Sequence, residues 1–439
     1  MSKDRAMDPY LRAFEIVKKN ASSQPVWLLR LREEAMATFT QKGFPTMKDE
    51  AWRYTDLAPI LESSFDFDGA IPKLSLETLE GLKRNSGRNF LLVVNGKFSR
   101  EHSFVEEGVE AMDLADAIVS RSDLLEPYLG RCLASGHDAF SALNTGLLKQ
   151  GLYIRISDNL IVKEPIHIVS YVYAARARSV FQVRNFLAMG KKSKAAIVET
   201  HTAGSGESYF TNAVMEIVLE EGARMEHCKI QRENSDAFHI AMSHVVQRRE
   251  SSFVSFALST GARLMRNDCR VALTAEGASC ELNGLYLGDK DQVLDHQTLV
   301  DHQKPDGKSD QFFKGLLAGN SRGVFHGQVM VRQDAQRTDA HQTHKSLLLS
   351  DAARVNAQPQ LEILADDVKC SHGAAVGQLQ EDAIFYLRAR GIGEKEAGRM
   401  LAQGFAREVI ERSSLGFMKE TLLELVNEKL MQQLCSGKE

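Results

Sequence analysis

Apolar side chains recur at every third or fourth position through residues 10–17, and again through residues 26–36 after Pro25. That spacing predicts two amphipathic helices near the start of the chain. Gly43-Phe44-Pro45-Thr46 breaks the pattern, and Glu50-Ala51-Trp52-Arg53-Tyr54-Thr55 follows as a short amphipathic segment with two large aromatics. From about Gly151 to Val368 the period changes. Apolar and β-branched runs of a few residues alternate with polar turns, as in Leu152-Tyr153-Ile154-Arg155-Ile156 and Ala195-Ala196-Ile197-Val198-Glu199.

Similar turns return along this stretch: Glu221-Gly222-Ala223-Arg224, Thr260-Gly261-Ala262-Arg263 and Glu276-Gly277-Ala278-Ser279. Short strands with no helical run between them exclude a doubly wound α/β sheet and leave a sandwich, a barrel or a β-solenoid. The recurring Gly-Ala turn favours the solenoid, whose coils bury their inward side chains only against neighbouring coils and so reuse their corners. After Gly377 the helical period resumes: one helix over 382–388, a break at Arg390-Gly391-Ile392-Gly393, a second helix over 394–412, and a third over 417–431. The second carries an apolar stripe of Ala397, Met400, Leu401, Phe405 and Val409. These helices either cap an open solenoid end or form a docking platform. The expected division is a helical and mixed region over 1–145, a β core over 146–378 and a helical region over 379–439.

Composition narrows the function classes. A chain of 439 residues with 43% apolar content can bury a sizeable core, and a formal charge of -4 provides no basic field for a nucleic-acid backbone or an anionic membrane. The charged start Met1-Ser2-Lys3-Asp4-Arg5 has no signal-peptide character, and apolar runs such as Phe90-Leu91-Leu92-Val93-Val94 are far shorter than the roughly 20 residues of a spanning helix. A soluble cytoplasmic protein is expected. Six cysteines (132, 228, 269, 280, 370 and 435) contain no Cys-x-x-Cys pair, which suits reduced thiols and neither a disulfide framework nor a zinc site.

The sharpest local chemistry is Cys370-x-His372, preceded by Asp366 and Asp367. In a strand, residues two apart share a face, with Cα atoms roughly 6 to 7 Å apart. A thiolate and an imidazole then form half a ligand set, since a tetrahedral metal or a cluster needs about four protein ligands. The rest would come from another chain; the alternative is a buried thiol and a hydrogen-bonded ring with no ligand at all. His341-x-x-His344, with Asp339 and His326, is a second candidate for a mononuclear metalloenzyme, but positions three apart in a strand face opposite ways. Gly307-Lys308-Ser309 resembles the end of a P-loop, yet His302 stands where that motif requires glycine, so no nucleotide is expected on this chain. No Gly-x-Ser-x-Gly elbow supports a serine hydrolase.

Gly315-Leu316-Leu317-Ala318-Gly319, Gly323-Val324-Phe325-His326-Gly327 and Pro359-Gln360-Leu361-Glu362-Ile363 resemble the SufB/SufD family of iron–sulfur cluster assembly scaffolds. The block from Asp367 through Lys369-Cys370-Ser371-His372-Gly373-Ala374 to Gln378, with Phe385-Tyr386-Leu387-Arg388-Ala389-Arg390-Gly391-Ile392, resembles the SufD branch of that family. Gly43-Phe44-Pro45, Val94-Asn95-Gly96 and Phe140-Ser141-Ala142-Leu143-Asn144 agree, so the likeness spans nearly the whole chain. It implies a right-handed parallel β-helix between helical regions, and a non-catalytic scaffold subunit pairing with the paralogue SufB and binding the ATPase SufC.

The resemblance further implies that Cys370 and His372 lie at the SufB interface, where an iron–sulfur cluster or iron is held transiently and shared. It places SufC on the C-terminal helices, for which Phe385, Tyr386, Met400, Leu401 and Phe405 are the docking candidates. It gives His341 and His344 no role. Cys228, Cys269 and Cys280 find no match to the sulfur-accepting cysteine of SufB and are read as core thiols, so sulfur relay falls to the partner. A SufB-like subunit that itself accepts persulfide is the alternative. Pairing with a second copy when SufB is absent, and flavin on the complex, stay open.

Overall fold

The computed structural model describes residues 3–19, 24–63, 65, 67, 74–84, 86–130, 138–173, 178–204 and 208–435. From Leu152–Ile156 onward, strands that follow one another in sequence fall in different sheets, and each pairs in parallel with the next but one. The result is a two-sided parallel β-solenoid with one ten-stranded and one nine-stranded sheet. Sandwich and barrel are thereby excluded. Hydrogen bonds between side chains on successive coils span 28 residues for His227 and Ser255 but 31 for Gln311 and Gln342. The coil length drifts, which is why no fixed repeat is visible in the sequence.

Alternation along each strand sends every second side chain inward. Ile166 and Ile168, Ile197, Met215 and Ile217, Phe253, Leu282 and Phe313 fill the interior as one cluster. The opposite faces are apolar too, because each sheet is covered outside as well as inside. Helices Lys3–Lys19, Val26–Lys42 and Ala139–Gly146 pack on the nine-stranded sheet through Met36, Phe39 and Phe140 against Phe210, Val214 and Phe238. On the ten-stranded sheet, Ala402, Ala406, Val409 and Ile410 of helix Glu394–Arg412 and Leu422 and Val426 of helix Lys419–Cys435 pack on Phe256, Leu258, Leu285 and Phe312.

The corners form a column of left-handed residues: Lys192, Gly222, Glu250, Gly277, Asp306 and Arg337 all have positive φ. Each donates its backbone N–H to a carbonyl of the next coil, Gly222 to Arg249, Glu250 to Glu276 and Gly277 to Pro305. Glycine fits here because αL carries no Cβ penalty for it. The second Gly-Ala turn differs: Ala262 takes the positive φ, while a side chain on Gly261 would meet the Glu233 carbonyl at 2.3 Å.

The two ends of the solenoid are unlike. At the first end both sheets finish in antiparallel pairings, Lys97–Phe98 on Asn89–Val94 and Val109–Asp113 on Leu152–Ile156. At the other end the last strands, Arg354–Ile363 and Val368–Gln378, are edge strands of their sheets and are half-buried or exposed almost throughout. The C-terminal helices therefore do not cap the open end; they lie along the flank of the ten-stranded sheet. The apolar stripe of helix Glu394–Arg412 is also displaced from the expected one. Ala402, Ala406 and Ile410 are buried beside Ala397 and Val409, and Met400 faces outward with 41% exposure.

Candidate functional site

Cys370 and His372 sit near the start of the exposed strand Val368–Gln378. Parallel register places Cys370 opposite Ala340 and His372 opposite Gln342, and both of those are buried inward-facing residues. The thiol and the imidazole thus belong to the inward face of the last coil, where no further coil covers them. Cys370 is half-buried and packs beside Val329, Val331 and Ala340; His372 is exposed. Burial raises the Cys370 thiol pKa, and the Asp339 charge adds to this against a backbone hydrogen bond from Ala340. Left alone it is a protonated thiol, not an activated nucleophile, and a cation or a partner's positive charge must draw off its proton.

The three other thiols of the solenoid are less reactive. Burial pushes Cys228 and Cys269 up to about 12 and Cys280 higher still. Cys132 lies outside the described residues.

The histidine trio does not converge. His344 points inward and bonds the Tyr286 hydroxyl at 2.8 Å; His341, on the opposite face, pairs with Asp339 at 2.9 Å and with Ser371. His326 lies in the other sheet, bonded to Gln297 and Gln360. No group of three His, Cys, Asp or Glu side chains among the described residues could hold a metal ion. Lys308 and Ser309 begin a strand, not the helix a P-loop needs, and Ser309 bonds His302.

The proposed docking residues separate into two groups. Phe385 and Tyr386, on helix Glu381–Arg388, are 72% and 56% exposed, and Arg390 lies over the Tyr386 ring at 4.3 Å. Met400 is exposed and Leu401 half-buried. Phe405 is engaged by the chain itself: the buried Lys314 ammonium sits 3.9 Å from its ring centroid, donates to its carbonyl and pairs with Glu408.

Two polar clusters leave little local signal in the sequence. Inside the solenoid, Glu199 accepts from His201 and His227 with Lys229 at 3.9 Å; burial opposes ionisation, yet these partners hold the carboxyl well below its ordinary range. Between solenoid and N-terminal region, Asp295 accepts from Thr55 and Arg266 at 2.6 Å each, and the Arg266 guanidinium stacks on Trp52 at 3.9 Å. The only sequence signal for the first is the run of polar residues at alternate positions, Glu199 and His201, then His227, Lys229 and Gln231. The second carries none, because its members come from distant parts of the chain.

Residues 171–405 match the SUF-system iron–sulfur cluster assembly SufBD core domain, and residues 3–168 match the SufBD N-terminal region. The chain belongs to the SufBD family. A SufBD family iron–sulfur cluster assembly protein of Synechocystis is 29% identical over 433 residues, 96% of this chain and 95% of that one. A chloroplastic protein of Arabidopsis thaliana is 31% identical over 92% of this chain and 87% of its own length. The iron–sulfur cluster assembly protein SufD of Escherichia coli is 28% identical over 91% and 92%. SufBD membership makes this an iron–sulfur cluster assembly protein, and no described helix is long and apolar enough to cross a membrane.

Proposed function

We propose that this chain is the SufD-type scaffold subunit of a cytoplasmic complex with SufB and SufC, without catalytic activity of its own. The open final coil carries the reading. Edge strands with free backbone groups are templates for pairing, and proteins normally blunt or cover them. Here Arg354–Ile363 and Val368–Gln378 stay uncovered, with Val376 at 52% and Ile363 at 40% exposure, and they present Cys370 and His372 at the rim. SufB pairs with this end. It supplies the ligands that two side chains cannot, and the nascent cluster is held between the two chains as cargo. Sulfur reaches the seam from the partner, since Cys228, Cys269 and Cys280 are protonated core thiols.

SufC docks on the 379–439 region, with Phe385, Tyr386 and Met400 as its contacts and Leu401 at their border; Phe405 acts indirectly by fixing the helix to Lys314. The solenoid of 146–378 is the unit that pairs, and 1–145 braces its nine-stranded face. ATP binding to SufC moves the C-terminal helices and opens the seam.

Co-purification of the tagged chain tests the two surfaces separately. Val376→Lys in the edge strand is expected to lose the paralogue and keep the ATPase, while Phe385→Asp with Tyr386→Asp is expected to do the reverse. Retention of both partners by both variants would overturn the assignment. Recovery of a second copy of this chain in place of SufB would show that the open end pairs with itself.

A further inference from the structure

The open end offers a partner two strand edges, and their main chains are not equivalent. In a parallel ladder the N–H and C=O of one residue point to the same side, and those of the next residue point to the other. At the strand Arg354–Ile363, Arg354 donates to the Ser321 carbonyl and Leu364, just past the end, donates to the Val331 carbonyl. Even-numbered residues therefore bond the preceding coil. Val355, Ala357, Pro359, Leu361 and Ile363 turn their main chain to the open edge.

The parity of Val368–Gln378 follows in the same way. Asp339 donates to Gly307 and Leu349 to Leu317, which leaves the even-numbered residues of Thr338–Leu348 facing the last strand, and the Asp367 carbonyl accepts from Arg337. With Ala340 opposite Cys370, odd-numbered residues of the last strand bond inward to this ladder. Val368, Cys370, His372, Ala374, Val376 and Gln378 present their N–H and C=O groups to the open edge.

Pro359 stands in the middle of the first edge, opposite Gly327. It has no N–H, and its ring fills the place from which a donor would reach a partner's carbonyl. The protein's own ladder loses nothing by it, because this nitrogen already faces away from Arg322–Val331. A proline so placed blunts an edge against pairing. The second edge contains no proline, its residues 371–378 are exposed, and a side chain on Gly373 or Gly377 would meet nothing within 4 Å, so the approach of another strand is clear.

Resting on the pairing proposed above, we infer that the paralogue's edge strand adds to Val368–Gln378 alone, carrying the ten-stranded sheet on into the partner, while Arg354–Ile363 faces the partner without a ladder. The partner strand then bonds the main chain of Cys370 and His372 directly, which fixes both side chains at the seam.

Proline substitution along both edges of the full chain, with affinity for the purified paralogue measured by titration, tests this. Ala374→Pro and Val376→Pro each remove one donor from the second edge, and Ala357→Pro removes one from the first. None of these donors serves the protein's own ladder, so circular dichroism and ATPase capture should match the parent; loss of the fold in both Ala374→Pro and Val376→Pro would contradict the parity on which the inference rests. The two are expected to weaken the paralogue about tenfold or more, and Ala357→Pro to stay within about twofold of the parent. Equal loss from Ala357→Pro, or no loss from the other two, would overturn the choice of edge and leave the pairing itself standing. A parent chain that binds no paralogue would sink the pairing and this inference with it.

Discussion

At the residue scale the interior imidazoles are an uncommon choice for a solenoid core. His296 lies between the Tyr286 and Phe313 rings with neither ring nitrogen hydrogen-bonded, and burial lowers its pKa to about 3. His302 and His344 are lowered to about 4 by the same cause. An unfolded histidine titrates near 6.5, so these rings take up protons on unfolding anywhere between about pH 6.5 and 4. Their contribution is whole above the unfolded value and drains away as pH falls through this window. Stability measured by urea unfolding should drop steadily from pH 7 to 4. His296→Phe, which removes a buried unpaired ring of similar shape, should be neutral or stabilising at pH 7 and flatten the decline; a decline as steep as that of the parent would contradict this.

At the element scale the C-terminal helix Glu394–Arg412 is held by close approach. Ala402 and Ala406 are wholly buried against the sheet, and the Lys314 ammonium ties Phe405 and Glu408 to the neighbouring strand. Ala406→Leu should cost about 1–3 kcal/mol by overpacking, read as a lower denaturant midpoint, and should weaken ATPase binding without touching Phe385 or Tyr386. The helix boundaries were legible in the sequence: the helix predicted over 394–412 is the one observed. Its buried face was not. Alanines at 402 and 406 look neutral in a hydrophobic pattern, and Met400 looks apolar, but only the shape of the sheet beneath decides which side fits. Similarly, Cys370 and His372 were visible as a same-face pair, whereas the Asp295–Arg266–Trp52 contact joins residues separated by more than two hundred positions, which local spacing cannot report.

For the whole molecule, stability is approximately a sum over coils, each supported by its neighbours. The final coil has a neighbour on one side only, so in the isolated chain Arg354–Ile363 and Val368–Gln378 should exchange backbone hydrogens fastest among the solenoid strands and become protected when the paralogue binds. The asymmetry between a closed first end and an open last end also explains why Cys370 and His372 lie at an uncovered rim. The sequence showed a thiol and an imidazole two positions apart; the parallel register places both on the inward face of a coil that no further described coil covers.

The most direct measurement is cluster assembly by the reconstituted complex of this chain with SufB, SufC, iron and a sulfur source, followed by iron–sulfur absorbance. Cys370→Ala with His372→Ala should leave the assembled complex intact by mass and sharply reduce or abolish the cluster formed. A full yield of cluster from the double variant would contradict the claim that the open coil of this chain contributes half of the assembly site.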